Sequence, residues 1–252
     1  MTAARLLAIG VIYLFTAFAW SILGGSVVAR TGESDAQLAK EVAQIWGGQH
    51  EQLAPQAHYG VTRVVSEDVQ GKDAQGTAVT LTRRTPVVDA VPVPVDQSRI
   101  QVALNVDHRR KGLLWYPTYA VSFRARYTLH NPSPEAQTVT VDFPFPSKTG
   151  LYDGFALSLN GTEATSSGDL SKGVSVSAKL PPGGQGVIEV AYRSRGMELW
   201  SYAFASSGVG LVKDFHLDLT TNVAAIDFPA GSISPSTKTR QGAGWALSWA
   251  FD

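Results

Sequence analysis

Val121-Ser122-Phe123-Arg124-Ala125-Arg126-Tyr127-Thr128-Leu129-His130 alternates apolar and polar side chains without a break. With a period of two, Val121, Phe123, Ala125, Tyr127 and Leu129 face one side and Ser122, Arg124, Arg126, Thr128 and His130 the other. The stretch reads as a half-buried strand, dry on one face and wet on the other. An antiparallel sheet solvated on one side is the setting such a strand fits.

Reading toward the carboxyl end, the same signal recurs between turn residues. Asn131-Pro132-Ser133-Pro134 turns the chain into a strand over 137–143, which Pro144-Phe145-Pro146 ends. Further strands are expected over 152–159, before the Asn160-Gly161 turn, and over 173–180, before Pro181-Pro182-Gly183-Gly184. Segments 187–193, 199–204, 212–221 and 245–251 complete the set. With 24 glycines, 13 prolines and no repeat of 20 to 50 residues, the region 98–252 is expected to be an antiparallel β-sandwich-like domain.

Toward the amino end, segment 49–97 holds two candidate strands, 58–65 and 78–82, around a polar loop with Gly71 and Gly76. Thr85 to Val95 is extended, and Pro86, Pro92 and Pro94 bar it from the middle of a sheet, leaving an edge or a connector. Segment 31–48 predicts a short amphipathic helix. Ser34 and Gln37 have the form of a capping box, Leu38, Val42, Ile45 and Trp46 fall on one face, and Gly47-Gly48 supplies a stop. Lys40 is its only basic residue, so the face is expected to rest on protein rather than on a bilayer.

Segment 1–30 contains Leu6 to Ala29, an uncharged run between Arg5 and Arg30. As a helix it is roughly 36 Å long, enough to cross a bilayer's hydrocarbon layer. The competing reading is a secretory signal with cleavage after Val27-Val28-Ala29, but such cores usually have about 7 to 15 residues. An uncleaved transmembrane anchor is therefore expected, with the lipid bilayer as its partner. The large polar part follows the anchor and has no cysteine, which suits export without disulfides. The amino terminus is placed inside and the main domain outside, in an extracytoplasmic compartment.

Chemistry is harder to find. Lysine plus arginine equals aspartate plus glutamate at 21 each, so no global field draws nucleic acid. Without cysteine there is no thiol nucleophile, and no Gly-x-Ser-x-Gly elbow occurs. His50, His58, His108, His130 and His216 show no zinc-binding spacing. Gly183-Gly184-Gln185-Gly186 lacks the Lys-Ser/Thr of a phosphate loop and reads as a turn, as does the acceptor-like Asn160-Gly161-Thr162. Asp214, His216 and Asp218 share one face of a strand and could hold a divalent cation or serve in acid-base work, but they also read as the solvated side opposite Phe215, Leu217 and Leu219. Arg109-Arg110-Lys111 with Trp115, Tyr116 and Tyr119 could contact lipid headgroups, a polysaccharide or a partner loop; alternatively the cations pair within the fold and the aromatics are core. No catalytic, cofactor-binding or metal residue is assigned, and no cofactor is expected.

Several of these segments carry a resemblance. Arg109-Arg110-Lys111-Gly112-Leu113-Leu114-Trp115-Tyr116-Pro117-Thr118-Tyr119 resembles the Arg-rich, Gly-containing motif of bacterial inner-membrane proteins of the CreD family. The anchor followed by Arg30 and Glu41-Val42-Ala43-Gln44-Ile45-Trp46-Gly47-Gly48-Gln49 is similar to the start of that family, and Tyr192-Arg193-Ser194-Arg195-Gly196 and 226–235 look like segments of its divergent members. The resemblance implies a non-enzymatic inner-membrane protein with an extracytoplasmic β domain, linked to envelope stress and colicin tolerance, without an established activity. Family members continue into further membrane helices, so this chain is expected to be an amino-terminal portion or a shortened relative, with an envelope protein or those helices as partners. The alternative is a tethered or secreted enzyme, metal dependent, with Asp214, His216 and Asp218 as its candidates.

Overall fold

The computed structural model describes residues 2–72, 78–147, 149–164, 173–204 and 212–252. Among the described residues the chain is mostly β, behind one long apolar helix. Helix α1 runs Ala3–Trp46. The strands are β1 His50–Leu53, β2 Gln56–Lys72, β3 Ala78–Val93, β4 Val95–Lys111, β5 Leu114–His130, β6 Gln137–Phe143, β7 Tyr152–Leu159, β8 Thr162–Glu163, β9 Val174–Leu180, β10 Gln185–Met197, β11 Trp200–Ala203, β12 Phe215–Thr221, β13 Thr237–Gln241 and β14 Gly244–Phe251.

The strands form an eight-stranded sheet in the order β13-β14-β12-β4-β5-β10-β7-β8, a four-stranded sheet β3-β2-β6-β9, and the small pair β1-β11. Strand β5, which contains Val121 to His130, lies inside the large sheet between β4 and β10. Its inward residues Val121, Phe123, Tyr127 and Leu129 are buried, while Arg124, Arg126 and His130 are exposed. They meet Ile100 and Val102 of β4 and Ile188 and Tyr192 of β10, and across the sandwich Val139, Val141 and Phe143 of β6 with Val174 and Val176 of β9. Phe123 stacks on Tyr192 at 4.9 Å and reaches Phe143 of the opposite sheet at 6.4 Å. Each large side chain so buried stabilises the fold by about 1.5–3 kcal/mol relative to exposure.

Segment 49–97 supplies part of the sandwich itself, because Ala57, Tyr59 and Val93 share this core. Strand β3, with Pro86 and Pro92, is the edge of its sheet, as a strand lacking donors must be. The loop around Gly71 and Gly76 lies in part, at 73–77, outside the described residues. Two features depart from the antiparallel expectation. Strand β12 runs parallel to β4, and β1 runs parallel to β11. Neither pair is joined by a hairpin, and alternation of side chains fixes a face without fixing a direction.

The expected separate helix over 31–48 is instead the continuation of the apolar one. Helix α1 passes through Ser34, and its N-cap position is Thr2. Nothing in Arg30 to Gln37 breaks a helix except the tolerable Gly32, and continuing the helix satisfies the amide groups that a cap at Ser34 would serve. The expected stop holds: Gly47, with φ 107°, ends the helix.

Candidate functional site at the helix and sheet junction

Helix α1 has two halves of different character. Leu6 to Ala29 is exposed throughout, and this part of the helix is long and apolar enough to cross a membrane. The last three turns are bound to the β domain. Leu38, Val42 and Trp46, spaced at four residues, form a stripe that meets Tyr116 of β5 and Met197 of β10. Ile45 lies off that stripe and is exposed.

The contact surface is the far end of the β4–β5 hairpin, where Gly112 takes φ 61° in the turn. Trp46 meets two guanidinium groups, with the Arg109 carbon 4.4 Å and the Arg195 carbon 4.8 Å from its ring centroid. Lys111 Nζ lies 2.5 Å from Glu41 of α1, and this hydrogen bond and charge hold the Glu41 carboxyl below its usual range. The Tyr116 hydroxyl donates to the Asp35 carboxylate at 3.0 Å. Arg109 also pairs with Asp107 at 2.6 Å, and Arg110 Nε donates to the Gly112 carbonyl. The basic and aromatic cluster of 109–119 is thus spent mainly on the helix and on its own hairpin. Tyr116 and Tyr119 are buried, and Trp115 alone of its aromatics is exposed.

Behind the helix end the chain turns sharply into the sandwich. A Cβ at Gly47 would collide with the Arg195 carbonyl, and its φ is one that L side chains rarely adopt. The Met197 amide donates to the Gly48 carbonyl, and β1 then pairs with β11, His50 opposite Trp200. This brings His50 and Gln52 to complete burial. Gln52 accepts from the Tyr192 hydroxyl at 2.8 Å and donates to the Leu53 and Pro144 carbonyls. His50 lies edge-on to Tyr119 at 5.8 Å, with Nε2 3.4 Å from Ser194 Oγ. Its Nδ1 has no partner among the described residues, and burial lowers its pKa to about 4.

Asp214, His216 and Asp218 do not form one cluster. Strand β12 begins at Phe215, and Asp214 before it has φ 41°, off the strand geometry that put all three on one face. The Asp214 carboxylate accepts from Gln97 at 2.5 Å and Arg99 at 2.6 Å, which lowers its pKa. His216 pairs with Asp218 at 3.1 Å. Among the described residues no three or more His, Cys, Asp or Glu side chains are placed to hold a metal ion. Two shallow grooves, of about 420 and 430 Å³, lie on the solvated face of the large sheet and share Gln101 and Arg124. In the first, Arg126 is paired with Glu189 and Arg99 with Asp214. Asn160-Gly161 and Gly183-Gly184 are turns, with Asn160 at φ 51° and Gly183 at φ 64°.

No protein-family model matches the chain, and no curated protein matches it. Among solved structures it is similar to a candidate nutrient-binding protein from Legionella pneumophila, with TM-score 0.40 and 15% identity over 64% of this chain and 65% of that one. It is also similar to an M1 zinc metallopeptidase from Deinococcus radiodurans, with TM-score 0.37 and 15% identity over 63% of this chain and 38% of that one. The chain spans less than two thirds of the length of either protein.

Proposed function

We propose that this protein is a non-enzymatic, membrane-anchored envelope module of the CreD type, with its amino terminus inside and its β-sandwich outside for binding or sensing. The observation that carries the reading is the continuity of α1. One unbroken helix has a membrane-length apolar half exposed on all sides and a second half clamped by Trp46, Glu41 and Asp35 to the β domain. A helix joined in this way transmits position and tilt to the sandwich, since no flexible linker separates them. The grooves on the large sheet, with cations and carboxylates largely paired, suit surface contacts better than bond-breaking chemistry. The motifs of Arg109 to Tyr119 and Glu41 to Gln49 support the CreD-type assignment, and both map onto the two sides of the junction.

The test is fractionation combined with a reporter. The protein is expected to stay with membranes through alkaline carbonate washing, and a reporter fused after Asp252 is expected to be active only in an extracytoplasmic location. Release of the chain with residues 1–30 intact, or a reporter active only in the cytoplasm, overturns the proposal.

A further inference from the structure

Strands β2 and β3 leave the sandwich together as a two-stranded ribbon with one edge open. Strand β6 pairs with β2 only from Gln56 to Tyr59, and from Gly60 to Lys72 the partner among the described residues is β3 alone. At roughly 3.3 Å per residue the ribbon projects about 43 Å. A lone two-stranded ribbon is marginal in water. This one also exposes valines: Val64 is 62% and Val88 67% exposed, with Val61 and Val65 partly so.

The two edges differ. Pro86 lies opposite Val64 and Pro92 opposite His58, so the edge strand β3 meets water with positions that have no amide to donate. Proline at those positions also fixes the phase of the ladder. The pairs Val64 with Pro86 and His58 with Pro92 are the non-hydrogen-bonded kind, which turns the amide and carbonyl of Val64 away from β3. By alternation Gly60, Thr62, Ser66 and Asp68 also present their backbone groups to the open edge. That edge contains no proline over Gly60 to Lys72.

We propose that β2 of a second copy fills this edge, antiparallel, about a two-fold axis through Val65. In that register Val65 faces Val65, Arg63 faces Glu67 of the second copy, and Val61 faces Val69, with the outward backbone groups of Val64 and Ser66 exchanging hydrogen bonds. The neighbouring registers are worse. Centring on Arg63 or Glu67 sets like charges together, and centring on Val64 or Ser66 sets Arg63 and Glu67 against valines. The Val65 register also places Glu67 between Arg63 of the other copy and its own cross-strand Arg83, and gives Arg63, already paired with Asp89 of its own ribbon, a second carboxylate. Shared strand addition of this kind closes an isologous dimer rather than an open fibre. The inference does not depend on what the sandwich binds.

The chain has no cysteine, so single-cysteine variants of the full chain in detergent or nanodiscs report the register directly. Facing residues of a non-hydrogen-bonded pair have Cα atoms about 4.5 Å apart, within disulfide range. Val65→Cys is expected to give a covalent dimer on oxidation. Val61→Cys alone is expected to give none, because its copies lie about 27 Å apart at 3.4 Å per residue, while mixing it with Val69→Cys restores cross-linking. Arg63→Glu or Glu67→Arg is expected to weaken self-association about tenfold or more. A monomer at micromolar concentrations, or equal cross-linking at Val61 and Val65, overturns the proposal.

Discussion

The Trp46 ring, in the last turn of α1, has its centroid 4.4 Å from the Arg109 guanidinium carbon at the end of β4 and 4.8 Å from that of Arg195 of β10. One indole thus joins the helix to β4 and β10, the two strands that flank β5 in the large sheet. Trp46→Ala removes this double cation–π contact and the packing against the stripe of Leu38 and Val42. The expected loss is about 2 kcal/mol in urea unfolding of the β domain, with Trp46→Phe recovering part of it. An unchanged midpoint would show that the helix end merely lies beside the sheet.

Continuity of α1 makes a second prediction, about mechanics rather than stability. Ser34 lies within the helix, between the exposed apolar half and the residues that touch the sheet. Proline there removes one helical hydrogen bond and clashes with the preceding turn, costing about 3 kcal/mol or a kink. Ser34→Pro is therefore expected to leave the sandwich's own unfolding unchanged while broadening the distances between a label on the β domain and one in the bilayer. Spin-label distance measurements in nanodiscs read this out. A narrow distribution in the variant would mean that something besides the helix sets the domain's position.

Much of the sandwich was legible in the residues because its strands end on hard punctuation. Gln137 to Phe143 and Tyr152 to Leu159 have the expected limits, set by prolines, by Asn160-Gly161 and by strict alternation. Strand β4 was missed although Ile100, Val102, Leu104 and Val106 alternate, because its second half is the charged run Asp107 to Lys111, which reads as loop. Strand β13 is exposed at every position and has no apolar face to signal it. The junction was half legible. The amphipathic stripe of Leu38, Val42 and Trp46 and the cluster of 109–119 were both visible, but their contact is non-local and no spacing encodes it. The burial of His50 had no signal at all, since it follows from the parallel pairing of β1 with β11.

Asp214 gives a third prediction. Its carboxylate is engaged by Gln97 and Arg99, so it joins the start of β12 to β4 and is not presented to a cation. Asp214→Asn is expected to lower the melting temperature by a few degrees near neutral pH, and this difference from wild type is expected to shrink as pH falls below about 4. The sign follows from its lowered pKa: the carboxylate's contribution is present above its unfolded value and lost as pH falls through the folded one. Calorimetric titration with zinc or calcium is expected to give no binding tighter than millimolar in either protein. Tight binding that disappears in His216→Ala would restore the cation reading of Asp214, His216 and Asp218.

His50 gives the last prediction, in a pH range the carboxylates leave clear. The ring is fully buried against Tyr119 of β5, near Tyr152 of β7, with Ser194 of β10 at Nε2 and Trp200 opposite on β11. No carboxylate is among these neighbours, and Nδ1 has no partner among the described residues to compensate a proton there. Its pKa is lowered to about 4 by burial, against 6.5 in the unfolded chain. Between those values the unfolded chain takes up a proton that the native one refuses. The contribution is therefore complete above the unfolded value and is lost as pH falls toward the folded one, about 2 kcal/mol between roughly pH 7 and pH 5. Glu41 and Asp214, with carboxyls held below their ordinary values, titrate beneath this window. His50→Leu is expected to flatten the pH dependence of the unfolding free energy above about pH 5, and an equal slope in wild type and variant would assign the acid sensitivity elsewhere.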